Sequence, residues 1–161
     1  MKDIVDVCCG GRMFWFDKQH EDVLYIDKHP RAQGCIPQQK DFHCDPDMIA
    51  DYREIPLPDN SFSMVVFDPP HRLFNFDSIM RQKYGSLSPD WKGELCDAMK
   101  ECMRICKEGG FIVFKWHELS HKVSEVLKAI PFDPLFGHTT GKAGKTKWMI
   151  FRKPIDQREV D

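Results

Sequence analysis

The chain has 161 residues, 42% of them hydrophobic and 30% charged, with a formal net charge of −2, which suits one domain around a single core and is too short for two. No run of eighteen apolar residues occurs, which excludes a membrane-spanning helix, and Met1-Lys2-Asp3 leads straight into an apolar segment, so a cytoplasmic protein without a secretory signal is expected. Residues 1–80 carry 8 basic and 14 acidic side chains and residues 81–161 carry 15 and 11; an acidic cofactor half and a basic substrate half would have this pattern, although the overall balance alone does not point to nucleic acid.

The first apolar segment, Ile4-Val5-Asp6-Val7, reads as a strand that breaks into the small-residue turn Cys8-Cys9-Gly10-Gly11. Small residues there let the backbone approach a ligand, and a helix is expected to start within residues 12–18. Val23-Leu24-Tyr25-Ile26-Asp27 is a second buried strand closed by a carboxylate about twenty residues after that turn, the spacing at which an acidic residue binds the ribose hydroxyls of a nucleoside cofactor.

Residues 28–47 are polar and punctuated by Pro30, Gly34, Pro37 and Pro46, so an irregular connection is expected. His29, Cys35, His43 and Cys44 lie in it without the compact spacing of known zinc sites, and no metal is expected. Asp47-Met48-Ile49-Ala50-Asp51 reads as a third short strand, again ending at a carboxylate. A turn at residues 58–61 then leads to Met64-Val65-Val66-Phe67, a continuous apolar run of the kind buried on both faces of a sheet.

That run stops at Asp68-Pro69-Pro70-His71. Proline forces the residue before it into extended backbone, which holds Asp68 at the carboxyl end of the strand, where ligands bind in open α/β sheets. Residues 72–91, with Leu73-Phe74-Asn75-Phe76-Asp77 and Gln82-Lys83-Tyr84-Gly85-Ser86, lack periodicity and read as a lid or substrate loop over that rim. Ser88-Pro89-Asp90-Trp91 has the form of a helix start with Ser88 as cap. The helix carries Leu95, Ala98, Met99, Cys102, Met103 and Cys106 on one stripe as far as Gly109-Gly110. Residues 111–116 form the next strand, Val123 to Ile130 another helix, and residues 135–140 and 147–153 a hairpin with a basic tip. The seven cysteines, 8, 9, 35, 44, 96, 102 and 106, are odd in number and are expected reduced.

Together these residues resemble class I S-adenosylmethionine-dependent methyltransferases, and among them the small amino-methyltransferase-like proteins of phages and bacterial mobile regions, here with an Asp-Pro-Pro-His motif. The resemblance spans nearly the whole chain, as a single domain over 1–161. It implies a Rossmann-like α/β fold with helices on both faces of a mostly parallel seven-stranded sheet, order 3-2-1-4-5-7-6, the last strand antiparallel. It also implies S-adenosylmethionine as cofactor, bound by Asp6, Cys8, Cys9, Gly10, Gly11, Asp27, Asp51 and Tyr52, with Asp68, Pro69, Pro70 and His71 as the catalytic stretch. Lys115 at a strand end and Lys142 and Lys145 at the hairpin tip are candidates for phosphate contacts with a nucleic-acid substrate. Two positions depart from the family pattern: Cys8 stands for the first glycine of the turn, and His71 for the terminal aromatic of the fourth motif. No recognition domain is expected within these residues, and a partner subunit for target choice is compatible with that. The readings that stay open are methyl transfer to an amino group of DNA or RNA, transfer to a protein or small-molecule nitrogen, and a catalytically silent binding subunit.

Overall fold

The structure, a computed structural model, describes residues 2–73 and 78–156. In chain order the elements are β1 (Ile4–Asp6), β2 (Val23–Asp27), β3 (Met48–Ile49), β4 (Phe62–Phe67), α1 (Ile79–Tyr84), α2 (Trp91–Ile105), β5 (Cys106–His117), α3 (Val123–Ala129), β6 (Phe136–Thr140) and β7 (Thr146–Arg152). The strands form one seven-stranded sheet, β3-β2-β1-β4-β5-β7-β6, parallel except for β7, which runs antiparallel to both its neighbours. This is the Rossmann-like class I methyltransferase order.

The carboxyl ends of β1 to β5 therefore share one edge. The chain crosses outward from β1 to β2 and β3 on one side and returns to β4 and β5 on the other, so the switch in winding falls between β1 and β4, where a crevice opens. The register Asp6↔Val66 and Phe67↔Phe114 sets the turn after β1, Asp68 after β4 and Lys115 of β5 side by side.

One face of the sheet carries the main core. Val5, Ile26, Val65, Phe67, Ile112, Phe114, Trp116 and Phe151 pack there against Leu95, Ala98, Met99 and Cys102 of α2 and Val126 of α3, all buried. The helix start lies slightly downstream of its expected place: Asp90 is the N-cap, its carboxylate accepting from Gly93 N at 3.2 Å, while Ser88 N donates to Glu94 Oε2 at 2.7 Å. The helix also ends early, at Ile105, and Cys106 begins β5. Gly109 and Gly110 thus stand inside a strand. Gly109 has φ +74°, and a Cβ on Gly110 would come within 2.8 Å of Ser63 O and Lys107 O, where the β4–β5 register shifts. Cys102 and Cys106 are buried and Cys96 is half-buried, all three as free thiols.

The opposite side is closed differently. No helix forms in residues 7–22 or 28–47, against the expectation for 12–18. Arg12 takes a left-handed φ of 53°, and its guanidinium donates to Lys18 O and Asp45 O, so side-chain bonds to backbone carbonyls replace a helical ladder. A second, smaller cluster of Cys9, Val23, Tyr25, Ile36, Phe42 and Cys44, with Trp15 against it, covers β1 and β2. Helix α1 lies on this cluster through Tyr84, whose ring meets Phe42 edge-on at 5.9 Å. The same face of β5, β7 and β6 is more open, with Phe111 and Phe136 exposed. Among the described residues no helix is long and apolar enough to cross a membrane.

Candidate active site

The turn after β1 is pinned by Cys9 N, which donates to Ile26 O at 2.8 Å, and by Gly10 N, which donates to Asp27 Oδ2 at 2.9 Å. Gly10 adopts φ +50°, and a Cβ on Gly11 would lie 2.9 Å from the Phe42 ring, so both glycines are required by shape. Cys8, standing where a glycine was expected, turns its sulfur toward β4 and accepts Asp68 N–H at 3.2 Å. The departure from the family pattern thus ties the first turn to the Asp-Pro-Pro-His stretch.

Two cavities that adjoin this turn also reach the strand-end carboxylates. The larger, about 450 Å³, is lined by the turn, by Asp68, Pro69, Pro70 and His71, by Lys115 and by His117. The smaller, about 100 Å³, is lined by Asp27, Asp51, Tyr52 and Glu94. Cys8, Gly10, Asp68, Pro70, Tyr84 and Gly85 border both. The segment expected as a lid therefore reaches the rim through Tyr84 and Gly85, while Phe74, Asn75, Phe76 and Asp77 lie outside the described residues.

Asp68 lines the larger cavity. Its Oδ2 accepts from Lys115 Nζ at 2.6 Å, and Lys115 also lies over the rings of Phe14 and Trp148 at 5.4 and 5.8 Å. His71 Nε2 is 3.0 Å from Oδ1, close enough for an ion pair when the ring is protonated but not aligned for a hydrogen bond. Oδ1 is buried and accepts no hydrogen bond among the described residues. The His71 ring is held edge-on against Trp116 at 5.1 Å. Beside it, His117 shares a 2.8 Å hydrogen bond with Thr146 Oγ1, and burial together with the neighbouring His71 and Lys115 holds its pKa below the ordinary histidine value.

The expected cofactor residues divide. Asp27 lines the smaller cavity and accepts backbone N–H groups from Gly10 and, at 2.8 Å, from His29. Tyr52 is buried there, its hydroxyl donating to Glu94. Asp51 borders the same cavity, but its carboxylate is held by Arg53 and Lys28, each at 2.6 Å, and lies well below the usual carboxylate range. Asp6, expected among the cofactor residues, lines neither cavity. It is fully buried, accepting from Trp15 Nε1 at 2.8 Å and Cys8 N at 3.3 Å, and burial raises its pKa to about 7. It shapes the turn from beneath. Lys142 and Lys145 are exposed on the hairpin and line neither cavity, whereas Lys115 lies at the centre of the site as the partner of Asp68.

Sequence reasoning missed Phe14, His117 and Glu94 as cavity residues. A strand-end His117 beside Lys115 was visible in the pattern, but Phe14 lies in the segment expected as the start of a helix.

No protein-family model and no curated protein sequence matches this chain. Solved structures match its fold. The PH0226 protein from Pyrococcus horikoshii OT3 is 14% identical, with a TM-score of 0.59 over 94% of this chain and 81% of that one. The N-methyltransferase NodS from Bradyrhizobium japonicum WM9 is 14% identical, TM-score 0.56, over 94% and 85%. The [4+2]-cyclase SpnF is 13% identical, TM-score 0.54, over 94% and 74%. These likenesses establish the fold, which hosts more than one chemistry.

Proposed function

We propose that this chain transfers a methyl group from S-adenosylmethionine to an amino nitrogen, and that the acceptor is a nucleic-acid base. The observation that carries the reading is the Asp68 carboxylate, which lines the larger cavity: one oxygen is fixed by Lys115, and the other, buried 3.0 Å from His71 Nε2, accepts no aligned hydrogen bond among the described residues. A buried acceptor of this kind suits an amine N–H, because leaving it unpaired is costly.

When bound, S-adenosylmethionine supplies an electrophilic methyl group on a sulfonium. The donor set around the smaller cavity fits such a nucleoside. Asp27 keeps two of its four lone-pair positions after the Gly10 and His29 N–H groups are served, enough for ribose hydroxyls. Tyr52 offers a buried aromatic wall, and the turn at 8–11 lets the backbone approach. As it stands the cavity has room for about three waters, so residues 84–86 must withdraw for the nucleoside to enter.

An exocyclic amine is a weak nucleophile because its lone pair is delocalised into the ring. A hydrogen bond to Asp68 Oδ1 favours the tetrahedral nitrogen and stabilises the positive charge that develops there. The proton that the nitrogen sheds then passes to Oδ1, which lies 3.0 Å from His71 Nε2. Lys115 keeps the carboxylate aimed during these steps, a different role from the phosphate contact expected of it.

The nucleic-acid part of the reading is supported by charge. Arg72 and Lys115 line the larger cavity against the single carboxylate of Asp68. The His117–Thr146 bond also brings the lysine-bearing hairpin tip alongside. A base within a duplex must be flipped out to reach Asp68. The test is transfer of labelled methyl from S-adenosylmethionine to separate DNA, RNA and protein pools, followed by nucleoside and peptide analysis. Label confined to protein removes the nucleic-acid acceptor, and no label in any pool removes the enzyme reading.

A further inference from the structure

Cys9 lies in the turn after β1, Cys44 lies in the β2–β3 connection and Asp27 closes β2. Cys9 Sγ, Cys44 Sγ and an Asp27 carboxylate oxygen nonetheless lie within 4.8 Å of one another. Both thiols are free and buried. We propose that these three side chains form a binding site for a thiophilic divalent cation of the zinc type, which staples the helix-poor side of the sheet.

The donor chemistry fits that class of ion. Two sulfurs and a carboxylate oxygen suit zinc, and bonds of about 2.3 Å to sulfur and about 2.0 Å to oxygen put the ligand atoms about 3.5 Å apart, a contraction of about 1 Å from the present limit. The ligands are also held in advance. Cys9 N donates to Ile26 O, and Cys44 pairs with Arg31 through two backbone hydrogen bonds of 2.8 and 2.9 Å. Asp27 is fixed by the Gly10 and His29 N–H groups, which leave lone pairs for the ion. The fourth position of a tetrahedral ion falls to water.

The location supplies the reason. The cluster around these thiols consists of Val23, Tyr25, Ile36 and Phe42 with Trp15 against it, a small core under irregular chain. An ion joining β1, β2 and the β2–β3 connection replaces the packing that helices would have supplied there. Each thiol loses its proton to solvent on binding and the ion takes both sulfurs as thiolates, so binding releases protons. The spacing within residues 28–47 gave no hint of this, because two of the three ligands come from outside that segment.

The experiment uses the reduced full-length chain, freed of metal and titrated with cobalt(II), without any nucleoside. Both readings draw on the remaining lone pairs of Asp27, but metal binding is read here through the two thiols, so its failure and the failure of methyl transfer are distinguishable. The expected result is a sulfur-to-cobalt charge-transfer band that saturates at stoichiometric metal, proton release from both thiols, displacement of cobalt by zinc and a raised melting temperature. Cys9→Ser and Cys44→Ser each weaken binding by about tenfold or more. Cys35→Ser, at an exposed cysteine outside the set, leaves the band in place. If a buried serine prevents folding, proton release by the parent chain still decides. A parent chain with neither band nor proton release, or a band that persists in the Cys9→Ser/Cys44→Ser chain, overturns the assignment.

Discussion

Lys115→Met keeps a long side chain against Phe14 and Trp148 while removing the charge that fixes Asp68. The paired side chains are 23% and 16% exposed, so the bridge lies between the surface and the buried extremes. Surface pairs contribute about 0–1 kcal/mol and breaking a buried one costs about 3–5 kcal/mol, which puts the loss here at about 1–3 kcal/mol. Misaiming the carboxylate should lower the rate of methyl transfer about a hundredfold without altering cofactor affinity. Asp68→Asn removes the partner charge instead and should cost a similar amount of stability, with a rate loss of about two to four orders of magnitude. In the double variant neither charge is stranded, so stability should recover part of the way while the rate stays at the level of Asp68→Asn. Urea unfolding followed by tryptophan fluorescence gives the coupling energy, and single-turnover transfer gives the rate. Additive stabilities across the cycle, or parental turnover in Asp68→Asn, would refute the reasoning.

Asp27→Ala should weaken S-adenosylmethionine binding by about 1–3 kcal/mol through loss of a charged acceptor; unchanged affinity by calorimetry on the folded variant counts against its place in the nucleoside site. Asp6 has its pKa raised by burial from 3.8 to about 7. The folded chain therefore holds this proton where the unfolded chain has lost it, and the stability so gained is complete below pH 3.8 and disappears as pH rises through about 7. That difference amounts to up to about 4 kcal/mol, so Asp6→Asn should flatten the decline in denaturation midpoint between the unfolded pKa of 3.8 and the folded value of about 7, and a parallel decline in both proteins would disprove it. Gly11→Ala places a methyl 2.9 Å from the Phe42 ring and should cost about 1–3 kcal/mol; a midpoint equal to the parent would show that Phe42 gives way freely.

The strands were legible because each buried run is short, apolar and closed by a carboxylate or a turn, as in residues 23–27 and 64–68. The hairpin was legible from its glycines. The segment at 12–18 was misread because its propensity for helix is overridden by tertiary bonds: the Arg12 side chain takes backbone carbonyls, and Trp15 is drawn to Asp6. The early end of α2 was hidden because Cys106 fits the helical stripe as well as it fits a strand. Asp68 itself could be singled out from Asp-Pro-Pro, but not its environment. The partnership with Lys115 depends on the Phe67↔Phe114 register between strands 47 residues apart, and one residue of slip would send Lys115 to the other face.

The unequal closure of the two faces has a consequence for how the molecule breathes. On the α2 and α3 face, opening any part of the core means separating packed helices from the central strands, so amide protons of β4 and β5 should exchange with solvent only on global unfolding. Across the sheet, the covering segments 12–22 and 28–46 hold few mutual backbone hydrogen bonds and rest on a handful of side chains. That layer can lift as a unit at a small fraction of the global free energy, exposing β1 and β2 from one side while the rest stays folded. Hydrogen exchange should therefore resolve two tiers of protection within a single sheet, with the boundary running between β1 and β4.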